Sequence, residues 1–195
     1  MKNFETLLEE SSRVHGHLCA GQVIGVRMSI LALSLLGIED PQGADRKKLY
    51  TFVEIDRCAT DAIQSVTGCS LGKRTMRFVD NGVMAATFVN LETGKSVRIT
   101  ALEEARERAA VYVQQGDNRY KQQLEAYRIM PQEELFKIEY VEVEIPPEQL
   151  PGRPLSRVQC EQCRDWVQDK RERRVDGITL CRGCSDGRYY SKQEA

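Results

Sequence analysis

Two groups of side chains in this sequence have the types and spacing to do chemistry. The first centres on the stretch HGHLCAG at residues 15–21. It contains His15 and His17, the only two histidines among 195 residues, and Cys19 follows two positions later. Imidazole and thiolate are the preferred donors for a borderline ion such as zinc. In an extended segment alternate residues share a face, so all three side chains would project together. Cys19 also opens a long apolar run that reads as a helix, and a helix amino end favours a thiolate. A second segment, VEIDRCATDAIQSVTGCSLGK at 53–73, sets Cys58 where a strand gives way to a helix, with Glu54 and Asp56 beside it. His17, Cys19 and Cys58 would make a three-donor set with one open coordination position, the arrangement of a catalytic metal site. His15 would be a spare donor or an orienting group. Cys69 is a candidate fourth ligand, although a lone free cysteine is more often a small buried hydrophobe. The run GCSLGK at 68–73 is one residue short of a phosphate loop, and Arg74 stands where Ser or Thr is required, so a nucleotide site is excluded there. Gly72 and Lys73 would still suit an anion-binding turn, and Lys73 could lower the pKa of a nearby thiol. The candidate catalytic groups are therefore Cys19, Cys58 and Lys73.

The second group is Cys160-Glu-Gln-Cys163 and Cys181-Arg-Gly-Cys184, with 17 residues between the pairs. Two C-x-x-C turns match a closed tetrahedral zinc cage. A module this short cannot bury enough apolar surface alone, so the ion would supply much of its folding energy. The closed cage leaves no position for substrate and implies a structural role. The spacer reads as a hairpin turning at Asp176-Gly177. Its basic run, residues 170–174, and the aromatics Trp166, Tyr189 and Tyr190 could serve nucleic acid. The acids Glu161, Asp165, Asp169, Glu172 and Asp176 interrupt that positive field, however, and Trp166 could instead pack the small core. Nucleic acid is the less favoured partner.

The elements that must position these groups can be read in order. Residues 3–13 read as an amphipathic helix and 19–36 as a longer one, apolar nearly all round and so central, stopping at Gly37. LYTFVEI at 49–55 reads as a buried strand, and 58–68 as a helix ending at Gly68. Residues 75–100 read as a strand meander with turns at Asp80-Asn81-Gly82 and Thr93-Gly94. Residues 101–127 read as a helix with a break at Gly116-Asp117, and 136–145 alternate like a strand. Residues 146–155 hold four of the six prolines and read as a stiff linker. The mixture of helices with a largely antiparallel sheet makes the fold class α+β. The expected domains are residues 1–149 and 150–195, the latter comprising the linker and a zinc-ribbon or treble-clef-like module.

Composition narrows the setting. The net charge is −1 and the hydrophobic fraction 41%, which fit a soluble globular protein. Residues 1–150 carry a balance of −4, and residues 151–195 one of +3. The most apolar run, 18–38, contains Gln22, Arg27, Ser29 and Ser34. A central arginine costs on the order of 3 kcal/mol in lipid, so a buried helix is expected rather than a membrane span. Seven cysteines with no apolar leader at Met1–Glu5 point to metal rather than disulfides, and to a reducing cytoplasm.

Taken together, HGHLCAG, the segment EIDRCATDAIQSVTGCSLGK and the terminal C-x-x-C pairs are similar to the FmdE family of formylmethanofuran dehydrogenase components. The resemblance covers the helix-and-sheet region and extends to the zinc module, which only some members carry. Ala20 stands where the family usually has proline, a departure that removes no ligand. The resemblance implies an α+β core, an intimate homodimer, and a metal or active site containing His17, Cys19 and Cys58 with Glu54, Gln64 and Lys73 as neighbours. Other components of an oxidoreductase complex would be partners for some members. The redox chemistry of that complex belongs to those other chains, and no cysteine set here is spaced for iron–sulfur clusters. The expected function is that of a metal-binding accessory or standalone protein in one-carbon or molybdenum-enzyme metabolism. Its cofactors would be a structural zinc and a second divalent metal, most simply zinc. The rival expectation is a zinc-finger regulator or adaptor that binds nucleic acid or a partner protein.

Overall fold

The computed structural model describes residues 2–113 and 118–193. The chain forms two compact units, Met1–Glu144 and Ile145–Ala195.

The first unit begins with α1 (Phe4–His15), whose amino end is capped by the Asn3 side chain accepting from the Thr6 N–H. The helix runs further than its apolar pattern predicts and takes His15 into its last turn. Gly16 then ends it in the left-handed region at φ 96°, a conformation glycine adopts without penalty. Helix α2 (Ala20–Leu36) follows and is buried nearly all round; Val23, Val26, Met28, Ala32 and Leu33 lie in the core. Its one charged residue is accounted for. Arg27 donates to the carbonyls of Tyr127 and Met130 at 2.7 Å each. These are orphan carbonyls at the carboxyl end of α5 (Arg119–Ile129), so the guanidinium caps a second helix. Among the described residues no helix is long and apolar enough to cross a membrane.

The sheet has the order β2-β1-β3-β4-β5. Its strands are β1 (Leu49–Val53), β2 (Met76–Phe78), β3 (Ala85–Asn90), β4 (Ser96–Ala101) and β5 (Phe136–Tyr140). Three of the four pairings are antiparallel, so the class is α+β with a largely antiparallel sheet. The expectation of a simple meander over 75–100 is corrected at its first strand. β2 pairs parallel with β1, Thr51 opposite Met76, while β3 lies on the other side of β1. The parallel pair requires a crossover, and α3 (Cys58–Thr67) supplies it. That helix packs on α1 and α2 and so draws the strand-to-helix junction at Cys58 towards the end of α1. Helices α4 (Glu104–Tyr112), α5 and the short α6 (Gln132–Leu135) complete the unit. The helical stretch read over 101–127 is thus two helices; the expected break at Gly116-Asp117 lies outside the described residues. The last strand stops at Tyr140 rather than 145.

The second unit contains a 3-10 turn (Pro147–Gln149) and two hairpins. The first is β6 (Arg157–Gln159) with β7 (Trp166–Gln168), and the second is β8 (Arg173–Val175) with β9 (Ile178–Leu180). A short helix, α7 (Arg182–Ser185), follows. The second hairpin turns at Asp176 and Gly177 with both φ values positive, 50° and 82°, the geometry that Asp-Gly favours. Among its described residues only Cys160 and Asp169 are buried. An apolar core therefore does not hold this unit together.

Candidate metal centres

In the second unit, Cys160, Cys163, Cys181 and Cys184 bring their sulfurs within 4.8 Å of one another. Each pair is shaped by its backbone. Arg164 adopts φ 67°, and its N–H returns to the Cys160 carbonyl, closing a tight turn around the first pair. Cys181 caps α7, which carries Cys184. Backbone N–H groups of Cys163, Cys181 and Gln162 favour the Cys160 thiolate and bring its pKa down to about 6. Cys163 moves the other way. The Asp165 N–H favours its thiolate, but desolvation, the Asp165 carboxylate and the Cys160 and Cys184 sulfurs outweigh that and push it up to about 12. Four sulfurs gathered around one point are compatible with a closed four-sulfur metal cage. Arg188 sets its guanidinium 3.4 Å from the Cys184 sulfur and offsets part of the negative charge.

Trp166 does not pack a core in this unit. It is 55% exposed, and the Arg157 guanidinium lies over its ring at 5.0 Å. Tyr189 is 99% exposed.

In the first unit, one donor atom from each of His15, His17 and Cys19 falls within 4.8 Å of the others. An extended segment does not bring them together. His15 ends α1, Gly16 reverses the chain, and Cys19 is the extended N-cap of α2 at φ −146°. A helix–turn–helix corner therefore gathers the three groups. The imidazole rings lie 4.6 Å apart, centre to centre. Cys58, at the first position of α3, lies against Cys19; burial pushes its thiol up, and hydrogen bonding with the Cys19 sulfur pushes it further. The contact depends on close helix packing. A Cβ on Gly21 would stand 2.9 Å from the Cys58 Cβ and 3.7 Å from the Cys19 sulfur.

Two polar residues with no role in the sequence motifs support this corner. Gln22 and Ser11 are fully buried. Ser11 donates to the Gln22 side-chain oxygen, and Gln22 donates to the Cys58 carbonyl at 2.6 Å. Asp61, one turn along α3 from Cys58, meets His15 Nδ1 at 2.8 Å. The other ring nitrogen of His15, Nε2, is buried with no hydrogen-bond partner. The clustered donors are thus His15, His17 and Cys19, rather than the expected His17, Cys19 and Cys58; the Cys58 sulfur neighbours Cys19 without joining the group. A ring with an orphaned buried nitrogen, grouped with a thiol and a second imidazole, fits a divalent ion. A polar side chain within an apolar run was the trace of Gln22 in the sequence. The spacing Cys58-x-x-Asp61, which puts both on one helix face, was the trace of Asp61.

Other expected site residues are placed elsewhere. Cys69 is buried and donates to the Leu49 carbonyl at 3.6 Å; burial pushes its thiol up, and it is not among the clustered donors. Lys73 donates to the Gly68 carbonyl at the far end of α3, about 15 Å along the helix from Cys58. With Gln64, Arg13 and Ser70 it lines a cavity of about 480 Å³. Glu54 is buried in an ion pair with Arg98 at 2.6 Å and accepts from Asn81 at 2.9 Å.

Residues 14–137 match the family pattern described as "FmdE, Molybdenum formylmethanofuran dehydrogenase operon". This chain belongs to the FmdE family. The matched region of this FmdE-family chain holds both imidazoles, Cys19, Cys58 and Asp61. A curated relative from Archaeoglobus fulgidus, described as a "Probable S-adenosyl-L-methionine-binding protein", is 32% identical over 95% of the chain. The alignment covers 54% of that relative, so the FmdE-family chain spans about half its length. Among solved structures, an FmdE-like protein of tungsten formylmethanofuran dehydrogenase type from Syntrophus aciditrophicus shares the fold with a TM-score of 0.63. It is 22% identical, and the match covers 97% of this chain and 96% of that one.

Proposed function

We propose that this FmdE-family protein carries two metals of different character. The first is a structural zinc in the four-cysteine cage. The second is a divalent metal, most simply zinc, held at the corner formed by α1, α2 and α3. The observation that carries the second assignment is the grouping of one donor atom each from His15, His17 and Cys19 within 4.8 Å of one another, with a His15 ring whose Nε2 is buried and unpartnered. His15, His17 and Cys19 would hold this ion, with Cys58 against Cys19 as a further donor. When bound, the ion would act as a Lewis acid on a water or on a substrate oxygen or sulfur. Gln22 fixes the backbone at Cys58. Asp61 holds the His15 ring. The Gly21 contact keeps the Cys19 and Cys58 sulfurs together. The role fitting this arrangement is that of an accessory or standalone metal protein in one-carbon or molybdenum-enzyme metabolism, acting in the cytoplasm as a homodimer.

A second reading, a regulator or adaptor binding nucleic acid through the second unit, is favoured by the exposed Trp166 beneath Arg157. One experiment separates the two. Metal analysis after mild chelation should leave about one zinc per chain, and divalent metal should reload the emptied site in wild type but not after Cys19→Ser. If the chelated protein reloads nothing yet binds single-stranded oligonucleotide with quenching of its one tryptophan, the adaptor reading replaces the metal-site reading.

A further inference from the structure

The His15–Asp61 contact decides more than the position of a ring. An imidazole nitrogen that meets a carboxylate must carry the proton, because an ionised carboxylate only accepts. Asp61 meets Nδ1 at 2.8 Å. The lone pair of the neutral ring is then on Nε2, the buried nitrogen that no protein group satisfies. His15 is therefore not a spare residue beside a site built from His17 and the thiols. Its side chain is only 14% exposed, whereas His17 is exposed. Of the two imidazoles, His15 is the one whose free nitrogen is both oriented and shielded from water.

We infer that Asp61 is a positioning residue which fixes His15 as the Nδ1–H tautomer and so presents Nε2 as a metal donor. Asp61 and Cys58 lie three residues apart on one face of α3. One turn of that helix thus delivers a thiol to the site and orients an imidazole contributed by α1. Neither arrangement survives a shift of α3 relative to α1. This inference rests on the reading of the corner as a metal site.

The test uses the full chain with zinc in the four-cysteine cage and the other site emptied by mild chelation. Cobalt(II) is titrated into wild type and Asp61→Asn, and visible absorption is followed. Asparagine keeps the shape but can donate as well as accept, so it no longer dictates the tautomer. The expected result is cobalt binding weakened by about 10–100-fold, with a changed ligand-field spectrum and unchanged helical content. Long-range proton–nitrogen spectra of the metal-free protein at pH 8 read the tautomer directly, and the chain has only two histidines to assign. Wild-type His15 should show Nδ1–H, and Asp61→Asn should shift it towards Nε2–H. Unchanged cobalt affinity and spectrum in Asp61→Asn would overturn the inference, as would an Nε2–H tautomer in wild type. The tautomer result in wild type decides the matter if the variant does not fold. Absence of cobalt binding in wild type itself would instead remove the metal-site reading on which the inference stands.

Discussion

Gly25 of α2 packs directly on Ala59 of α3: a Cβ added to the glycine would stand 2.9 Å from the Ala59 Cα and 2.6 Å from the Ala62 Cβ. No side chain fits there without moving backbone. Replacing glycine by alanine inside a helix normally stabilises it by about 1 kcal/mol. Here overpacking should outweigh that gain, and Gly25→Ala should lose about 1–3 kcal/mol net in urea denaturation. Because α3 carries Cys58, the same change should broaden the spectrum of a cobalt-loaded site. A more stable Gly25→Ala protein would show that the two helices are not in this contact.

Gln22 is the polar bridge between α1 and the Cys58 carbonyl, and it is fully buried. Gln22→Leu fills similar volume but leaves the Ser11 hydroxyl without its partner. It should destabilise the protein by about 1–3 kcal/mol and also weaken metal binding at the corner. Loss of stability with metal affinity untouched would confine Gln22 to the core.

The Glu54–Arg98 pair predicts an acid-sensitive contribution to stability. Hydrogen bonds from Arg98 hold the Glu54 carboxyl below its ordinary value of 4.5, with Asn81 and the Arg98 charge adding to the effect against desolvation. A carboxyl with a depressed folded-state pKa contributes fully above its unfolded value and loses that contribution as pH falls through the folded one. The stability difference between wild type and Glu54→Gln should therefore be constant from pH 7 to about 5.5 and shrink below 4.5. Arg98→Met leaves the carboxylate buried without its charge partner and should lose on the order of 3 kcal/mol at pH 7. A pH-independent gap between wild type and Glu54→Gln would exclude this role.

Removal of metal should affect the two units differently. The second unit has almost no buried apolar residues among those described, so its hairpins should depend on the ion. A strong chelator, or Cys160→Ser, should abolish the amide dispersion of residues 156–190. The first unit, with its own apolar core, should stay folded. Persistence of the hairpins in metal-free protein would remove the structural role of the cage.

Local patterns in the sequence carried much of this protein. Two C-x-x-C pairs mark a four-sulfur cage wherever they fold, because the short turn alone brings each pair of sulfurs to one point. Asp176-Gly177 marks its hairpin because few other dipeptides tolerate two positive φ angles. Runs of apolar residues located α2 and β1, since an element buried on nearly every side needs apolar residues along its whole length. HGHLCAG and the segment around Cys58 were enough to point to the FmdE family.

What needed tertiary structure was the way separate segments meet. The sequence pointed to His17 as the ligand and to His15 as a spare donor or orienting group; only the approach of α3 places Asp61 against His15 and leaves Nε2 of that ring buried. Cys69 and Lys73 lie within the same motif as Cys58, yet a helix rises about 1.5 Å per residue, and α3 carries them to the opposite end. β2 reads like the first strand of a meander, but its partner depends on the crossover through α3. Arg27 interrupts an apolar helix for no local reason, and its purpose appears only where α5 ends beside it. Short-range geometry is written in neighbouring residues; the donor set and its supports are contacts between distant ones, and packing decides those.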